Sequence, residues 1–173
     1  MKPAMILVFA ALAALAACGG DDDGGGSDSG AVNLQATTGN AATGSGSFTV
    51  SGAAVTFSTS ITDAPPGQHG IHIHETGDCG DDGMAAGGHW NPESSDHGSA
   101  GEGHLGDMGN VTVAADGTAS FTFSNPDWTL GDDATTDVIG KAIILHELMD
   151  DFGQPVGNAG ARIACGVVAH LAE

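Results

Sequence analysis

The chain contains no tyrosine, and only three of its 173 residues are basic: Lys2, Lys141 and Arg162. Against them stand 22 acidic residues, a net charge of −19. Such a surface repels nucleic acid and anionic lipid, so neither is expected as a partner of the folded surface. Aromatic side chains are few, six Phe and two Trp, while glycine is abundant at 29. That balance favours strands and loops over long helices. The chain also lacks an apolar run long enough to span a bilayer: the stretch from about Met5 to Ala14 is too short and has the wrong flanks. No internal repeat is present, and cysteine is scarce, at Cys18, Cys79 and Cys165.

That short apolar stretch lies in "MKPAMILVFAALAALAAC", which has the layout of an export signal over residues 1–17. "LAAC" (Leu15 to Cys18) resembles a bacterial lipobox, a motif in which the cysteine becomes the lipidated first residue of the mature protein. The expectation is a protein exported to the periplasm or cell envelope and held to a membrane by lipid on Cys18. Gly19 stands where inner-membrane lipoproteins carry a retaining Asp, which points to the outer membrane. Once Lys2 is removed, Lys141 and Arg162 are the only fixed positive charges. Export also makes disulfides permissible. With Cys18 acylated, Cys79 and Cys165 allow one intramolecular bridge or two free thiols.

Residues 18–30 comprise Cys18 and "GGDDDGGGSDSG", a stretch of Gly, Ser and Asp that reads as a flexible, charge-extended tether. The folded domain is expected over 31–173. Within it, short alternating runs recur between Gly, Asn and Asp: 31–38, 46–52, 54–62, 69–75, 110–115, 118–124, 139–147 and 162–171. Asp116-Gly117, between two of these, signals a hairpin. Eight short strands with no convincing helix predict a β-sandwich or barrel. The expected core includes Val111, Val113, Phe121, Phe123, Ile143, Leu145, Ile163 and Val167.

Two stretches break the pattern. Residues 76–108 are Gly-rich and poor in apolar side chains, and so long a loop in a compact domain has a function. It holds His89, His97, His104 and Asp107, a reasonable tetrahedral zinc set whose metal would organise the loop. The second stretch, 148–160, lies between His146 and Arg162. In "GIHIHE", His72 and His74 share one face of a strand and Ile71 and Ile73 the other. With His146 on another strand and a fourth imidazole from a loop, they form a set suited to copper(II).

The ordered series "HGIHIHETGDC", "GGHWNPESSDHG", "GHLGDMGNV", "GKAIILHE" and "GNAGARIACGVV" resembles the copper/zinc superoxide dismutases. The resemblance covers about Leu34 to the C-terminus and is dense from His69 onward. The short His74-to-Cys79 spacing looks like the bacterial exported branch of that family. The resemblance implies an all-β fold, an eight-stranded antiparallel Greek-key β-sandwich or barrel with two long metal-site loops. It implies a copper set of His72, His74, His89 and His146, and a zinc set of His89, His97, His104 and Asp107, with His89 bridging as an imidazolate. It makes Asp150 the carboxylate linking His72 to His97. It makes His69 structural and pairs Cys79 with Cys165 in a disulfide. His170 matches no motif and is expected at the surface.

The implied activity is dismutation of superoxide to oxygen and hydrogen peroxide, protecting the cell envelope. His89 and Arg162 carry the catalytic roles: His89 handles protons, and Arg162 fixes the anion with a planar, permanently charged donor. The loop between His146 and Arg162 is shorter than in eukaryotic members and has no lysine, so anion guidance is expected to be local. Two other readings compete. A metal-buffering lipoprotein would need no anion-binding arginine, and a copper chaperone would carry a cysteine-pair delivery motif, which Cys18, Cys79 and Cys165 cannot form. The family includes monomers and dimers, so a homodimer stays open.

Overall fold

A computed structural model describes residues 29–171. The export signal, Cys18 and the tether up to residue 28 lie outside the described residues. The elements are β1 (Ser29–Ala36), β2 (Thr43–Ser51), β3 (Ala54–Thr62), β4 (Gly67–His74), a 3-10 turn (Met84–Ala86), β5 (Asp107–Val113), β6 (Ala119–Asn125), β7 (Ala142–His146), β8 (Arg162–Val167) and the short β9 (Ala169–His170). Antiparallel pairing runs β5-β4-β7-β8-β1-β2-β3-β6, with β9 on β1, a nearly closed barrel. β1 joins its two halves: it pairs with β2 along most of its length and with β8 only at Gln35 and Ala36. It begins two residues before the expected boundary, because Ser29 and Gly30 already pair with Thr49 and Phe48.

The core follows from strand periodicity. β3 buries Val55, Phe57, Thr59 and Ile61 and turns the residues between them outward. Phe48 stacks on Phe57 with centroids 4.6 Å apart, and Trp128 closes the end against Phe48 and Phe123. On the other side Ile71, Ile73, Ile143 and Leu145 are fully buried. Val111, Val113 and Ile163 are core residues as expected, while Phe121 and Phe123 are half-buried and pack on the margin.

Two expectations are corrected. Val167 is 38% exposed, and Val168 takes the inward place. A register shift between Leu145 and His146 against β8 skips one residue, so Ile163 and Val167 cannot share a face, and Val167 pairs outward opposite Ala142. Asp116-Gly117 does make a tight turn, with the Ala114 N–H donating to Thr118 O at 2.8 Å. The strands it joins are not a hairpin, however: β5 pairs with β4, β6 pairs with β3, and the two stand at opposite ends of the strand order.

The outer face of β7 and β8 is apolar at Ala142, Ile144 and Cys165 because the long loop lies over it, contributing Ala86 and Cys79. The Cys79–Cys165 disulfide staples that loop to β8, with Cα atoms 5.7 Å apart. The loop is less irregular than expected: it contains the 3-10 turn, a bridge from His74 to His89, and ends early where Asp107 enters β5.

Candidate metal centre

Ile71 and Ile73 fill the barrel, which forces His72 and His74 onto the outer face of β4. The neighbouring β7 places His146 on the same side. The loop from Thr76 to Gly106 returns over this face and delivers His89, His97 and His104, and Asp107 follows at the start of β5. The structure thus brings the expected ligands together as two groups whose ligand atoms lie within 4.8 Å of one another: His72, His74, His89 and His146, then His89, His97, His104 and Asp107. His89 belongs to both.

The hydrogen bonds decide which nitrogen of each ring is free. His74 Nδ1 donates to Gly87 O at 3.0 Å, leaving Nε2, which lies 3.4 Å from His146 Nε2. His72 Nε2 donates to Asp150 Oδ2 at 2.9 Å, and His97 Nε2 donates to Asp150 Oδ1 at 3.0 Å. Asp150 therefore hydrogen-bonds one ring from each group. The opposite nitrogens, His72 Nδ1 and His97 Nδ1, are buried with no hydrogen-bond partner. An orphaned buried nitrogen is costly unless something else occupies its lone pair. Each group contains one such atom, and this fits a metal ion in each. His97 Nδ1 lies 2.8 Å from Asp107 Oδ2 without the geometry of a hydrogen bond, as two ligand atoms of one ion would.

Asp107 is held in place from several sides. Its Oδ2 accepts the N–H of His104 at 2.8 Å and of Gly98 at 3.1 Å, and its Oδ1 lies 2.8 Å from His89 Nδ1. His89 thus turns Nδ1 to the second group and leaves Nε2 for the first. Burial alone would raise the Asp107 carboxyl, but these bonds outweigh it and hold the group below the usual carboxylate range. Asp150 behaves alike: burial works upward, and the bonds from His72 and His97 win, bringing it down to about 2. Burial pushes His74 down to about 2 against its bond to Gly87, and His146 down to about 3 with help from His72. The rings are therefore held neutral, the state a metal requires.

Two side chains that sequence reading missed set the second loop. Asn110 Nδ2 donates to Asp150 O at 2.9 Å while its Oδ1 accepts the Asp150 N–H at 2.7 Å. Gln154 does the same for His97, donating to its carbonyl at 2.7 Å and accepting its N–H at 3.1 Å. Each amide mimics a strand partner for a loop residue. Gly157, at φ 78°, packs directly against the Asp150 carboxylate, where a Cβ would collide. His69 bridges His146 O at 2.9 Å and Pro65 O at 2.8 Å and coordinates neither group, and His170 is exposed; both match expectation.

A cavity of about 470 Å³ opens onto His74, His89 and His146, with Arg162 on its wall. Arg162 NH2 donates to Gly87 O at 2.6 Å, and NH1 donates to Gly83 O. Among the described residues it makes no ion pair with a carboxylate. Lys141 is elsewhere, 5.3 Å over the Trp90 ring.

Residues 27–168 match the family model described as copper/zinc superoxide dismutase (SODC). The extracellular superoxide dismutase [Cu-Zn] of Haemonchus contortus is 40% identical over 129 residues, 69% of this chain and 69% of that protein. The extracellular superoxide dismutase [Cu-Zn] of Caenorhabditis elegans is 35% identical over 135 residues, 73% of this chain; the match spans 60% of that longer protein. Among solved structures, the clock protein EA4 superposes with a TM-score of 0.74 at 33% identity, covering 84% of this chain and 96% of that one.

Proposed function

The chain belongs to the copper/zinc superoxide dismutase family, a family of oxidoreductases that use copper and zinc, and from that premise we propose how its own residues divide the chemistry. His72, His74, His89 and His146 would hold copper, and His89, His97, His104 and Asp107 would hold zinc. Copper bound there would supply a one-electron couple able to oxidise one superoxide and reduce the next, and zinc would supply a fixed charge around which His97, His104 and Asp107 order the loop. The sum converts two superoxide ions and two protons into oxygen and hydrogen peroxide. His89 takes up and hands on a proton at Nε2, beside the cavity, while Nδ1 stays directed at the Asp107 group. Arg162 orients the anion with its guanidinium, and Asp150 fixes the tautomers of His72 and His97.

One observation carries the reading of an enzyme over that of a metal store. Arg162 shares the cavity with His74, His89 and His146, is held there by backbone carbonyls, and keeps its charge uncompensated by any described carboxylate. A store would have no use for an anion-binding cation beside its metal. The protein loaded with copper and zinc is expected to dismute superoxide rapidly, and Arg162→Ala to lower kcat/KM by about tenfold or more. Tight metal binding without turnover would return the metal-buffering reading.

The cellular setting belongs to the same proposal. We place the mature protein in a bacterial cell envelope, lipidated at Cys18, tethered through residues 19–28 to the outer membrane, and removing superoxide there. The relatives' printed name, extracellular, supports export. Labelling with a fatty-acid analogue that is lost in Cys18→Ser, together with membrane fractionation, tests the anchor. Sedimentation of the soluble domain tests for a homodimer.

A further inference from the structure

The geometry points to a brace, built from the β1–β2 turn and Asp82, that fixes Arg162 at both ends and sets how tightly the cavity holds an anion. It rests on the reading of Arg162 as the anion-binding residue. In the turn, Thr37 Oγ1 donates to the carbonyl of Arg162 at 2.7 Å, and the Thr37 N–H donates to Ile163 O at 3.2 Å. Asn40 Nδ2 donates in turn to Thr37 Oγ1 at 2.9 Å, so the hydroxyl's direction is set. These bonds hold the backbone of Arg162.

The next residue of the same turn reaches the other end of the side chain. The Thr38 N–H donates to Asp82 Oδ1 at 2.9 Å across the cavity mouth. Asp82 immediately precedes Gly83, whose carbonyl accepts from the Arg162 guanidinium. The chain there is in an unusual state: Asp81, Asp82 and Gly83 have φ of 51°, 52° and 80°. Left-handed backbone costs a non-glycine residue on the order of 1 kcal/mol, and consecutive cases persist only where neighbours hold them. Gly83 suits its place because its φ of 80° is one that glycine adopts without steric cost.

What holds the run is visible on both sides. Behind it, Cys79 is tied to Cys165 and its carbonyl accepts the Gly83 N–H at 3.2 Å. In front, among the described residues, the Thr38–Asp82 bond is the tie between this run and the β1–β2 turn. Thr37, Thr38, Asn40 and Asp82 all line the cavity that Arg162 lines. Asp82 is thus a positioning residue: it touches no metal ligand and acts through Gly83 on Arg162.

An exposed carboxylate at a cavity mouth would act on an anion through its charge as well, and the two roles predict opposite signs. The experiment uses the full chain loaded with copper and zinc, with azide as the anionic probe, read from the copper absorption band. Metal content is measured for every variant. Asp82→Ala is expected to weaken azide binding about fivefold, the worth of one hydrogen bond, and to raise KM for superoxide with little change in kcat. Asp82→Asn keeps an oxygen acceptor and tolerates left-handed backbone, so it restores the wild-type affinity. Thr37→Val, nearly isosteric, weakens azide as Asp82→Ala does. Unchanged affinity in Asp82→Ala, or tighter binding in Asp82→Asn than in the wild type, overturns the brace. Should Asp82→Ala fail to take up metal, Thr37→Val and Asp82→Asn decide in the same way. Arg162→Ala separates the two levels. If it leaves azide affinity intact, the anion-binding reading falls and the brace with it; if it weakens azide and Asp82→Ala does not, only the brace falls.

Discussion

The two halves of the barrel use the same kind of strand and are buried in different ways. On β2, β3 and β6 the outward positions are almost all Ser or Thr, paired across the sheet by contacts such as Thr56–Ser124 at 2.8 Å and Thr43–Thr62 at 3.1 Å. No charged residue occurs in these three strands. This half has one dry face and one wet face, and alternation describes it fully. On β4 and β7 the outward positions include His72, His74, Ala142, Ile144 and His146, and every residue of β7 is buried. Loops cover that half, with an apolar contact over Ala142, Ile144 and Cys165 and a polar one over the histidines. The contrast teaches that the first half is organised by its apolar face, whereas the second also relies on hydrogen bonds to imidazole, carboxylate and amide groups.

Removing the metals should break the contrast most. Chelation is expected to abolish activity and to lower Tm by more than about 10 °C, since metal bound only to the folded state contributes its full affinity to stability. Hydrogen exchange would rise across residues 76–106 and 147–161 and stay unchanged in β2 and β3. A uniform rise would mean that the halves are not independent.

Acid is the next probe, applied to the metal-free protein. His74 and His146 are neutral when folded down to about 2 and about 3, whereas the unfolded chain takes up those protons near 6.5. The unfolded state therefore binds more protons throughout that interval, so the stabilisation is complete above pH 6.5 and is lost progressively below it. The loss amounts to several kcal/mol by the usual conversion. Denaturant midpoints that stay flat between pH 7 and 4 would contradict the burial of these rings.

The disulfide comes third. It closes a separation of 86 residues, and Cys79→Ser with Cys165→Ser is expected to cost about 4 kcal/mol, measured by urea unfolding. Asp150→Ala follows. Losing the shared partner of His72 and His97 should weaken metal binding about 10- to 100-fold in competition titrations, with zinc as well as copper affected. The smallest effect belongs to the hydroxyl face: Ser58→Ala should change stability by less than about 0.5 kcal/mol, even though it removes the 3.2 Å contact with Thr122.

How far the sequence could be read follows the same division. Alternation located the strands of the first half, β3 to the residue, because their outward side meets only water. The histidines of the second half could be picked out because their order and spacing form a dense pattern. Asn110 and Gln154 could not, since each acts on a backbone 40 or 57 residues away and neither spacing carries a signal. Val167 was misjudged because a bulge, invisible in composition, changes which face a strand presents. Asp116-Gly117 fixed a local turn and said nothing of which strands pair, because β5 and β6 part beyond the turn and each takes its partner, β4 or β3, from its own side of the barrel.

Gly87 supplies one carbonyl to two users: His74 Nδ1 at 3.0 Å and Arg162 NH2 at 2.6 Å. Positional error in a folded chain usually accumulates through every contact between two groups. Here the histidine and the guanidinium are both gauged from one oxygen atom, so their spacing inherits the tolerance of two hydrogen bonds and not that of the whole barrel. A shift of the long loop at Gly87 would move the reference of both groups together.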